Sequence, residues 1–420
     1  MLKSLLLICF SLVMFHAEAQ KVPFADSMRI DLTDLESMFL RKNLYLLAHQ
    51  YQVNAVKAME IQAALYNNPT ISAELSLYNR TKGWLDLGRT GQKAFNIDQV
   101  ILLAGKRNKR ISLAKEDTRQ AEYRLYDLLR TLRLELHNDY HVIRYNRDII
   151  AKVDEQLGYL DRIIHSYEDQ AVKRNVSMKD VVRLQTEYIQ LNAEKNEFIN
   201  ETLEAIRSLQ VLTDTSVFFV ATDTLHLPYS LDSIPTLPEC IAKAYVNRSD
   251  LKLQESVVKQ SELNVGYQKA LAVPDLHTGL GYDQNGSYVP NYYNLHFGID
   301  LPVFNRNQGA VKSAEQITAS EKAIFNSMQH GVDAEVQMSL GKLFQYDKDY
   351  QLMRRKISEE YTQVNKGMLE NFNKGNITIL EFLDFFESYN AAVREINQLQ
   401  RHRALSFEEL QFAIGTTIKH

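Results

Sequence analysis

Proline is absent from most of this 420-residue chain. Its eight prolines leave residues 71–227 and 303–420 without one, and between Gly105 and Asp214 the only glycine is Gly158. Proline breaks a helix interior and glycine weakens it. These stretches therefore permit helices far longer than the usual three or four turns.

Cysteine is also scarce, with only Cys9 and Cys240 in the chain. Cys9 lies in segment 1–19, which has the pattern of a secretory signal peptide: a basic residue at Lys3, an apolar run at 5–15 and a small-x-small cleavage sequence. The setting of Cys9 does not suit a lipoprotein signal, so we expect export without a lipid anchor. The exported chain then keeps one cysteine, which excludes an internal disulfide.

No charge of one sign dominates the composition. The formal net charge is −4, with 45% hydrophobic and 24% charged residues. This balance argues against binding to nucleic acid or another polyanion. After residue 19, no segment approaches the roughly 18 to 20 uncharged apolar residues of a membrane-spanning helix.

The chain contains a direct repeat. Residues 32–69 align without a gap on 237–274, and residues 167–214 align on 368–415. A period of about 200 residues is too long for a solenoid unit, so we interpret it as a duplicated half-protein. The predicted division is a first repeat at 20–214, an inter-repeat linker at 215–236 and a second repeat at 237–420.

Apolar residues follow the three-four stagger of a coiled-coil seam. One seam runs through 125–167 and another through 181–212. The first predicts a helix from about 106 to 171. Each repeat is thus expected to contain a long helical hairpin, and the hairpins are predicted to turn at tips near 173–177 and 373–378.

Two segments alternate apolar and polar residues as strands do. They are predicted to form β-hairpins at about 70–101 and 275–302, bracketed by Pro69 and Pro274, and each leads into a long helix. Strands of about 9 to 11 residues have the length that crosses a membrane at a tilt. A soluble sheet with one wet face is the alternative. Because four strands cannot close a barrel alone, the membrane interpretation requires an oligomer.

The polar sides of the predicted strands carry titratable residues, whereas the opposite sides are nearly free of charge. In a membrane-spanning hairpin the polar side faces a water-filled interior. We therefore expect a lumen to be lined by Glu74, Asp98, His277, Asp283, His296 and Asp300.

Three motifs carry a family resemblance. The first hairpin is followed at 99–107 by QVILLAGKR, the second is followed at 301–309 by LPVFNRNQG, and the tip segment is duplicated. With these motifs the chain resembles the TolC-type outer-membrane efflux proteins over nearly all of its length after residue 19. The NRNQG form is similar to the heavy-metal cation branch of that family.

The resemblance implies a mainly α-helical protein with a transmembrane β part and a duplicated α/β repeat. Three chains would each give four strands to a 12-stranded outer-membrane barrel, continued by a long periplasmic α-helical barrel of coiled coils. The family's proteins are not enzymes and need no cofactor. They are passive ducts of tripartite efflux systems that dock to a periplasmic adaptor and an inner-membrane pump.

Metal cations or small toxic compounds are the substrates that the resemblance implies. The protein would then lie in the cell outer membrane, as a homotrimer in contact with lipid, with a large periplasmic portion. The alternative is a periplasmic or surface structural coiled-coil protein without channel activity, which requires the hairpins to be soluble.

In the family, the adaptor contacts the helical tips. Carried over residue by residue, this implies docking by Asn175, Val176, Ser177, Asp180, Gly375, Asn376, Ile377, Thr378 and Glu381. Arg174 stands where the second tip has Gly375, which suits a helix C terminus, so the first tip is expected to turn differently. Val176 and Ile377 are expected to be exposed apolar residues with no core to enter.

A metal site is suggested only weakly, by His137 and His141, which are spaced i, i+4 on a predicted helix. No third ligand lies nearby in sequence, so solvated helix residues are the more ordinary interpretation. The tripeptide at 105–107 lacks the other residues of a phosphate-binding loop. No pattern of catalytic residues indicates an enzyme.

Overall fold

The computed structural model describes residues 27–80, 83–89, 91–222, 234–286, 289–356, 364, 367–372 and 374–418. The predicted signal peptide at 1–19 lies outside these residues. So do part of the predicted linker and Asn373 of the second tip.

The described chain is mainly helical. In chain order the helices are α1 (Leu32–Lys42), α2 (Leu44–Ala64), α3 (Lys106–Val172), α4 (Met178–Thr213), α5 (Leu237–Asn247), α6 (Ser249–Leu271), α7 (Gln308–Lys356) and α8 (Ile379–Ile414), and residues 367–372 are helical as well. The long helix predicted from about 106 to 171 is confirmed by α3, which has 67 residues. At 1.5 Å per residue it extends for about 100 Å.

Local sequence explains where several helices begin and end. Asp31 precedes α1 and accepts a hydrogen bond from the Asp34 backbone N–H at 2.7 Å. A capping box of Thr236 and Glu239 starts α5. Asp214 ends α4 in the left-handed region, with φ of 46°. Within the described residues, no helix is both long enough and apolar enough to cross a membrane.

The strands form three small sheets. In chain order they are β1 (Ser27–Ile30), β2 (Thr70–Leu75), β3 (Tyr78–Asn79), β4 (Gly83–Trp84), β5 (Lys93–Ile101), β6 (Phe218–Ala221), β7 (Leu276–Gly286) and β8 (Val289–Ile299). β1 and β6 pair in parallel, and β3 pairs with β4. The largest sheet is antiparallel, in the order β2-β5-β7-β8. The two predicted hairpins thus contribute to one sheet, while the small β3–β4 hairpin was not predicted.

Contacts divide the chain into two compact units. One, here called the tip unit, comprises the described residues within Met1–Asn43, Leu132–Ser230 and Lys342–Glu408; the other, the sheet unit, comprises those within Leu44–Thr131, Leu231–Gly341 and Glu409–His420. Each unit takes segments from both predicted repeats. The compact units therefore differ from the repeats, and the division into repeats stays a prediction about the sequence.

The tip unit has a coiled-coil core. Residues of the predicted seam on α3, among them Val153, Leu157 and Leu160, are buried there. Aromatic side chains extend the core toward the tips: the ring centroids of Phe372 and Phe382 are 4.3 Å apart and their planes differ by 13°. Stacked aromatic pairs stabilise beyond the area that they bury.

The sheet unit contains a buried arginine and a buried thiol. The Arg248 guanidinium donates to Asp250 at 2.7 Å, to Glu335 at 2.6 Å and to the backbone carbonyl of Ala413 at 3.1 Å. These three partners tie the start of α6 to α7 and to the end of α8. Cys240 on α5 is fully buried, and burial raises the pKa of its thiol.

Candidate functional site: a two-faced sheet and two helical tips

Strand pairing brings the predicted lumen residues onto one face of the four-stranded sheet. Residues directly opposite each other in a sheet share a face. Asp98 lies opposite Gly279, and Gly279 opposite His296, so one row crosses β5, β7 and β8. His277 and Asp283 lie on the same face by strand alternation.

Two of the predicted residues lie near the ends of strands. Glu74 on β2 is exposed and pairs with Ala94 in the register, which puts it on the polar face. Asp300 follows β8, and its carboxylate lies 3.4 Å from the Nε2 atom of His277. That these six residues line a lumen stays a prediction, since the described structure contains one chain.

The opposite face of the sheet is apolar and exposed. Its exposed large side chains are Ile71, Leu75, Phe95, Ile97, Ile101, Leu280, Val289, Tyr293, Leu295, Phe297 and Ile299. Exposure reaches 75% at Ile71 and 76% at Tyr293. Among the described residues of these four strands, Lys93 at the start of β5 is the one charged residue on this face. An apolar surface this continuous is unusual for a protein surrounded by water.

Two glycines on β7 let side chains of its neighbours meet above it. Asp98 Oδ1 and His296 Nε2 lie 2.5 Å apart across Gly279. A Cβ atom at Gly279 would come within 2.4 Å of that carboxylate oxygen and 2.5 Å of the imidazole ring. A Cβ at Gly281 would lie 2.5 Å from Asn96 Oδ1. A larger residue at either position would therefore push these side chains apart, whereas neither glycine has a positive φ.

The two helical tips turn in the same way, so the expectation that the first tip differs is wrong. Arg174 takes a φ of 61° and Gly375 a φ of 74°. In the first tip the Asn175 N–H donates to the carbonyl of Gln170 at 2.9 Å. In the second, the Asn376 N–H donates to a carbonyl five residues back, also at 2.9 Å. Both are the αL turns that commonly end helices.

The helices that leave the tips are capped differently. Ser177 starts α4, and its hydroxyl accepts from the Lys179 N–H at 3.2 Å. Thr378 precedes α8 and forms a reciprocal box with Glu381: its backbone N–H and hydroxyl donate to the carboxylate at 2.8 and 2.9 Å, and the Glu381 N–H donates back at 3.3 Å. These bonds lower the pKa of Glu381 below its ordinary value.

The apolar tip residues are not fully exposed, which corrects the expectation from sequence. Val176 is half-buried, and Ile377 packs against the hydrophobic core of the tip unit. The exposed apolar residues lie beside the turns instead: Val172 at 85%, Met178 at 65% and Leu380 at 58%. Sequence reasoning missed these three, although they lie directly next to the predicted tips.

No family model matches the chain. A relative is the cobalt-zinc-cadmium resistance protein CzcC of Cupriavidus metallidurans, which is 22% identical over 356 residues, 83% of this chain and 81% of the relative. The outer-membrane protein VceC of Vibrio cholerae superposes with a TM-score of 0.75 at 15% identity, covering 92% of this chain and 97% of VceC. The open state of the MtrE outer-membrane channel of Neisseria gonorrhoeae superposes with a TM-score of 0.71 at 17% identity, covering 94% of this chain and 91% of MtrE.

The chain has the TolC-type fold. The family resemblance drawn from the sequence motifs is thereby confirmed. At these identities the solved structures establish the fold, and the chain spans most of the length of each protein that it matches.

In this TolC-type chain the two post-strand motifs form anchored turns between strand and helix. After β5 the chain turns through Ala104 and Gly105, with φ of 54° and 68°. Lys106 then contacts Asp275 at 2.7 Å, and the same carboxylate accepts from the Leu103 N–H at 2.9 Å. After β8, Asn307 has a φ of 55°.

The side-chain amide of Asn307 also forms hydrogen bonds. It donates to the backbone and side-chain oxygens of Gln268 on α6, at 2.8 and 2.9 Å. The most specific sequence motifs of the TolC-type chain thus fix how each hairpin joins its long helix. In the described structure these motifs position each hairpin relative to the helix that follows it.

His137 and His141 are buried rather than solvated, which corrects that interpretation. Both face Glu408 on α8, with His137 Nδ1 at 2.8 Å and His141 Nε2 at 3.4 Å from its carboxylate oxygens. Burial would raise the pKa of Glu408, but its hydrogen bonds to the two imidazoles and their charge outweigh this and lower it to about 2. Within the described residues, no group of three or more His, Cys, Asp or Glu side chains is arranged to hold a metal ion.

Another buried carboxylate was not predicted. Glu187 on α4 is 7% exposed, and Glu387 on α8 lies beside it. Burial and the charge and hydrogen bonding of Glu387 raise the pKa of Glu187 to about 7. A polar residue in a seam position is the only signal that the sequence offers for it.

Proposed function

We propose that this protein is the outer-membrane channel component of a tripartite efflux system, a passive export duct with a large periplasmic portion. The observation that carries the proposal is the two-faced sheet. Its apolar face is exposed and almost free of charge, and its polar face carries carboxylates and imidazoles. A sheet with these two faces suits lipid on one side and water on the other.

The sheet supports a trimer. Among the described strands, β2 and β8 are the edges of this sheet, and each pairs with one strand only. Open edges are not tolerated in hydrocarbon, and the smallest membrane barrels have about eight strands. Three chains supplying four strands each would pair β2 of one with β8 of the next and close a 12-stranded barrel. The helices would continue as a periplasmic α-helical barrel.

The tips are the proposed docking site for a periplasmic adaptor, which links the duct to an inner-membrane pump. The proposed contacts are Asn175, Val176, Ser177, Asp180, Gly375, Asn376, Ile377, Thr378 and Glu381. Met178 and Leu380 extend this surface, because both are exposed apolar residues in the first turns of α4 and α8. Apolar side chains at such a turn can pack against a partner helix end.

Metal cations are the proposed cargo. The relative CzcC is a cobalt-zinc-cadmium resistance protein. The polar face of the sheet adds carboxylates, which attract cations, and imidazoles, which are ligands for transition-metal ions. Small toxic compounds remain the second cargo class, and export assays of cells lacking the protein would separate the two.

A paired substitution tests the membrane assignment. Leu295 lies on the apolar face and its neighbour Asn294 on the polar face. An arginine facing lipid near the midplane costs about 2 to 4 kcal/mol, whereas one facing the lumen is solvated. We expect Leu295→Arg to reduce the amount of trimer in outer-membrane fractions strongly and Asn294→Arg to leave it near the wild-type amount.

Equal insertion of the two variants would contradict the proposed orientation. A wild-type protein that fractionates with soluble periplasmic contents, without detergent, would favour the alternative of a structural coiled-coil protein. Native electrophoresis of the detergent extract measures the trimer directly.

A further inference from the structure

The polar face of the sheet contains two His–Asp pairs on adjacent rows. In one, His296 Nε2 lies 2.5 Å from Asp98 Oδ1; in the other, His277 Nε2 lies 3.4 Å from Asp300 Oδ2. The side chains of His296 and Asp98 are 43% and 42% exposed, so both can be reached from the face. His277 is two residues from Gly279, which places the rows about 7 Å apart along the strand.

The charge of this face favours cations. Within the described residues of β2, β5, β7 and β8, the polar face carries no lysine or arginine. Its carboxylates are those of Glu74, Asp98 and Asp283, with Asp300 directly after β8. A cation that moves along the face meets carboxylates without a competing ammonium or guanidinium group.

The ligand types favour a particular class of cation. Imidazole nitrogen suits zinc, copper, nickel and related ions, whereas magnesium and calcium prefer oxygen alone. A pair supplies only two ligands, fewer than the four that hold a structural zinc ion. This agrees with the finding that no described group of three or more such residues could retain a metal. Conduction requires sites weak enough to release the ion.

Gly279 adds evidence that the Asp98–His296 pair is built into the sheet. The two residues lie on β5 and β8, with β7 between them. They meet because Gly279 leaves space above the middle strand, where a Cβ atom would come within 2.4 Å of Asp98 Oδ1. At Gly298, beside His277, the nearest heavy atom to a Cβ would be 3.8 Å away.

We propose that the Asp98–His296 and His277–Asp300 pairs are successive two-ligand binding positions for divalent transition-metal cations in transit along this face. The inference rests on the proposed channel function. In a trimer each position would occur three times around the lumen. The passing ion is cargo, held by one imidazole nitrogen and one carboxylate while its other ligands remain water.

Zinc block of single-channel conductance tests the proposal. Purified full-length protein is reconstituted in planar bilayers in KCl, and conductance is measured with added ZnCl₂ or MgCl₂, relative to each variant's own metal-free value. For the wild-type protein we expect Zn²⁺ to reduce conductance at concentrations where Mg²⁺ has little effect. For Gly279→Ala, which keeps both ligands but separates them, we expect half-block to need roughly tenfold more Zn²⁺.

Gly298→Ala is the matched control, because it adds the same methyl group to the same face without a close contact; its zinc block should match the wild type. The double variant His277→Asn and His296→Asn retains the sheet glycines and should lose the preference for Zn²⁺ over Mg²⁺. It also covers the case in which Gly279→Ala fails to insert. Wild-type zinc block in the double variant, or equal block by Mg²⁺ and Zn²⁺ in the wild type, would overturn the inference. A wild-type protein that forms no channel would instead overturn the proposed function, and this inference with it.

Discussion

The first and second helical tips form the same turn from different residues. Arg174 and Gly375 both take left-handed backbone angles, and the residue after each donates to a carbonyl five positions back. An L-residue in this conformation costs about 1 to 2 kcal/mol, a cost that glycine avoids. The helix ends and their hydrogen bonds therefore fix the turn, and glycine at one tip only lowers its cost.

The tips differ more in what supports them. The second tip has the Thr378–Glu381 capping box, its Ile377 packs against the hydrophobic core of the tip unit, and Phe372 and Phe382 stack within that core. The first tip has a single cap bond from Ser177 and a half-buried Val176. We infer that the second tip is the more stable of the two, and the following substitutions measure by how much.

Removing the aromatic support should have the largest effect. Phe382 is 1% exposed and stacks on Phe372. Phe382→Ala should lower the free energy of unfolding by about 3 to 5 kcal/mol, as large-to-small changes in cores do. Urea unfolding followed by circular dichroism measures this. Leu380→Ala, a truncation of an exposed neighbour, should change it little; similar losses in both would mean that the stack does not support the tip.

Raising the pH should weaken the contact between the helices that leave the two tips. The pKa of Glu187 is raised from 4.5 to about 7 by burial and by Glu387. The folded state then binds more protons than the unfolded state between these pH values, so stability falls as pH rises from about 4.5 to about 7. The loss is at most about 3 kcal/mol.

Glu187→Gln tests this pH dependence, because the amide keeps the shape without the charge. The variant should lose that part of the pH dependence of the urea midpoint between pH 5 and pH 8, a range that covers most of the window in which Glu187 titrates. A slope identical to that of the wild type would assign the pH dependence to other groups.

Removing the helix caps should destabilise the two tips to different extents, and by less than the changes above. Thr378→Ala breaks a reciprocal box and should cost about 1 to 2 kcal/mol, whereas Ser177→Ala should cost about 0.5 to 1 kcal/mol. Hydrogen exchange in the first turns of α8 and α4 reports each loss locally. A larger increase in exchange in α4 after Ser177→Ala than in α8 after Thr378→Ala would contradict the inferred difference between the two caps.

Exchanging the turn residues should have the smallest effect. Nothing lies within 4 Å of a Cβ atom at Gly375, so Gly375→Ala costs only the backbone strain, about 1 kcal/mol. Arg174→Gly should relieve similar strain but gain less, because glycine also makes the unfolded chain more flexible. Thermal unfolding of both variants should show opposite shifts; shifts of the same sign would mean that side-chain contacts of Arg174 decide its effect.

The elements were predictable where the pattern is local. The helix α3 follows from a proline-free seam, and the polar face of the sheet follows from alternation along each strand. The Arg174 turn was not predictable, because αL backbone angles are rare for arginine and here depend on two helix ends already held in place.

Contacts between residues distant in sequence were not predictable either. His137 is 271 residues from Glu408, so no spacing along one helix indicates their hydrogen bond. The half-burial of Ile377 depends in the same way on core residues brought to it by packing. Exposure at a turn cannot be read from the residue's position in the turn alone.

Cys240 makes these comparisons accessible to spectroscopy. It is the one free cysteine among the described residues, it is fully buried, and its thiol has a raised pKa, so maleimide reagents should leave it unmodified in the native protein. A single cysteine introduced at 174 or 375 could then carry a spin label or fluorophore without removal of the native thiol. Each tip could be observed by itself, with the other left as it is in the wild type.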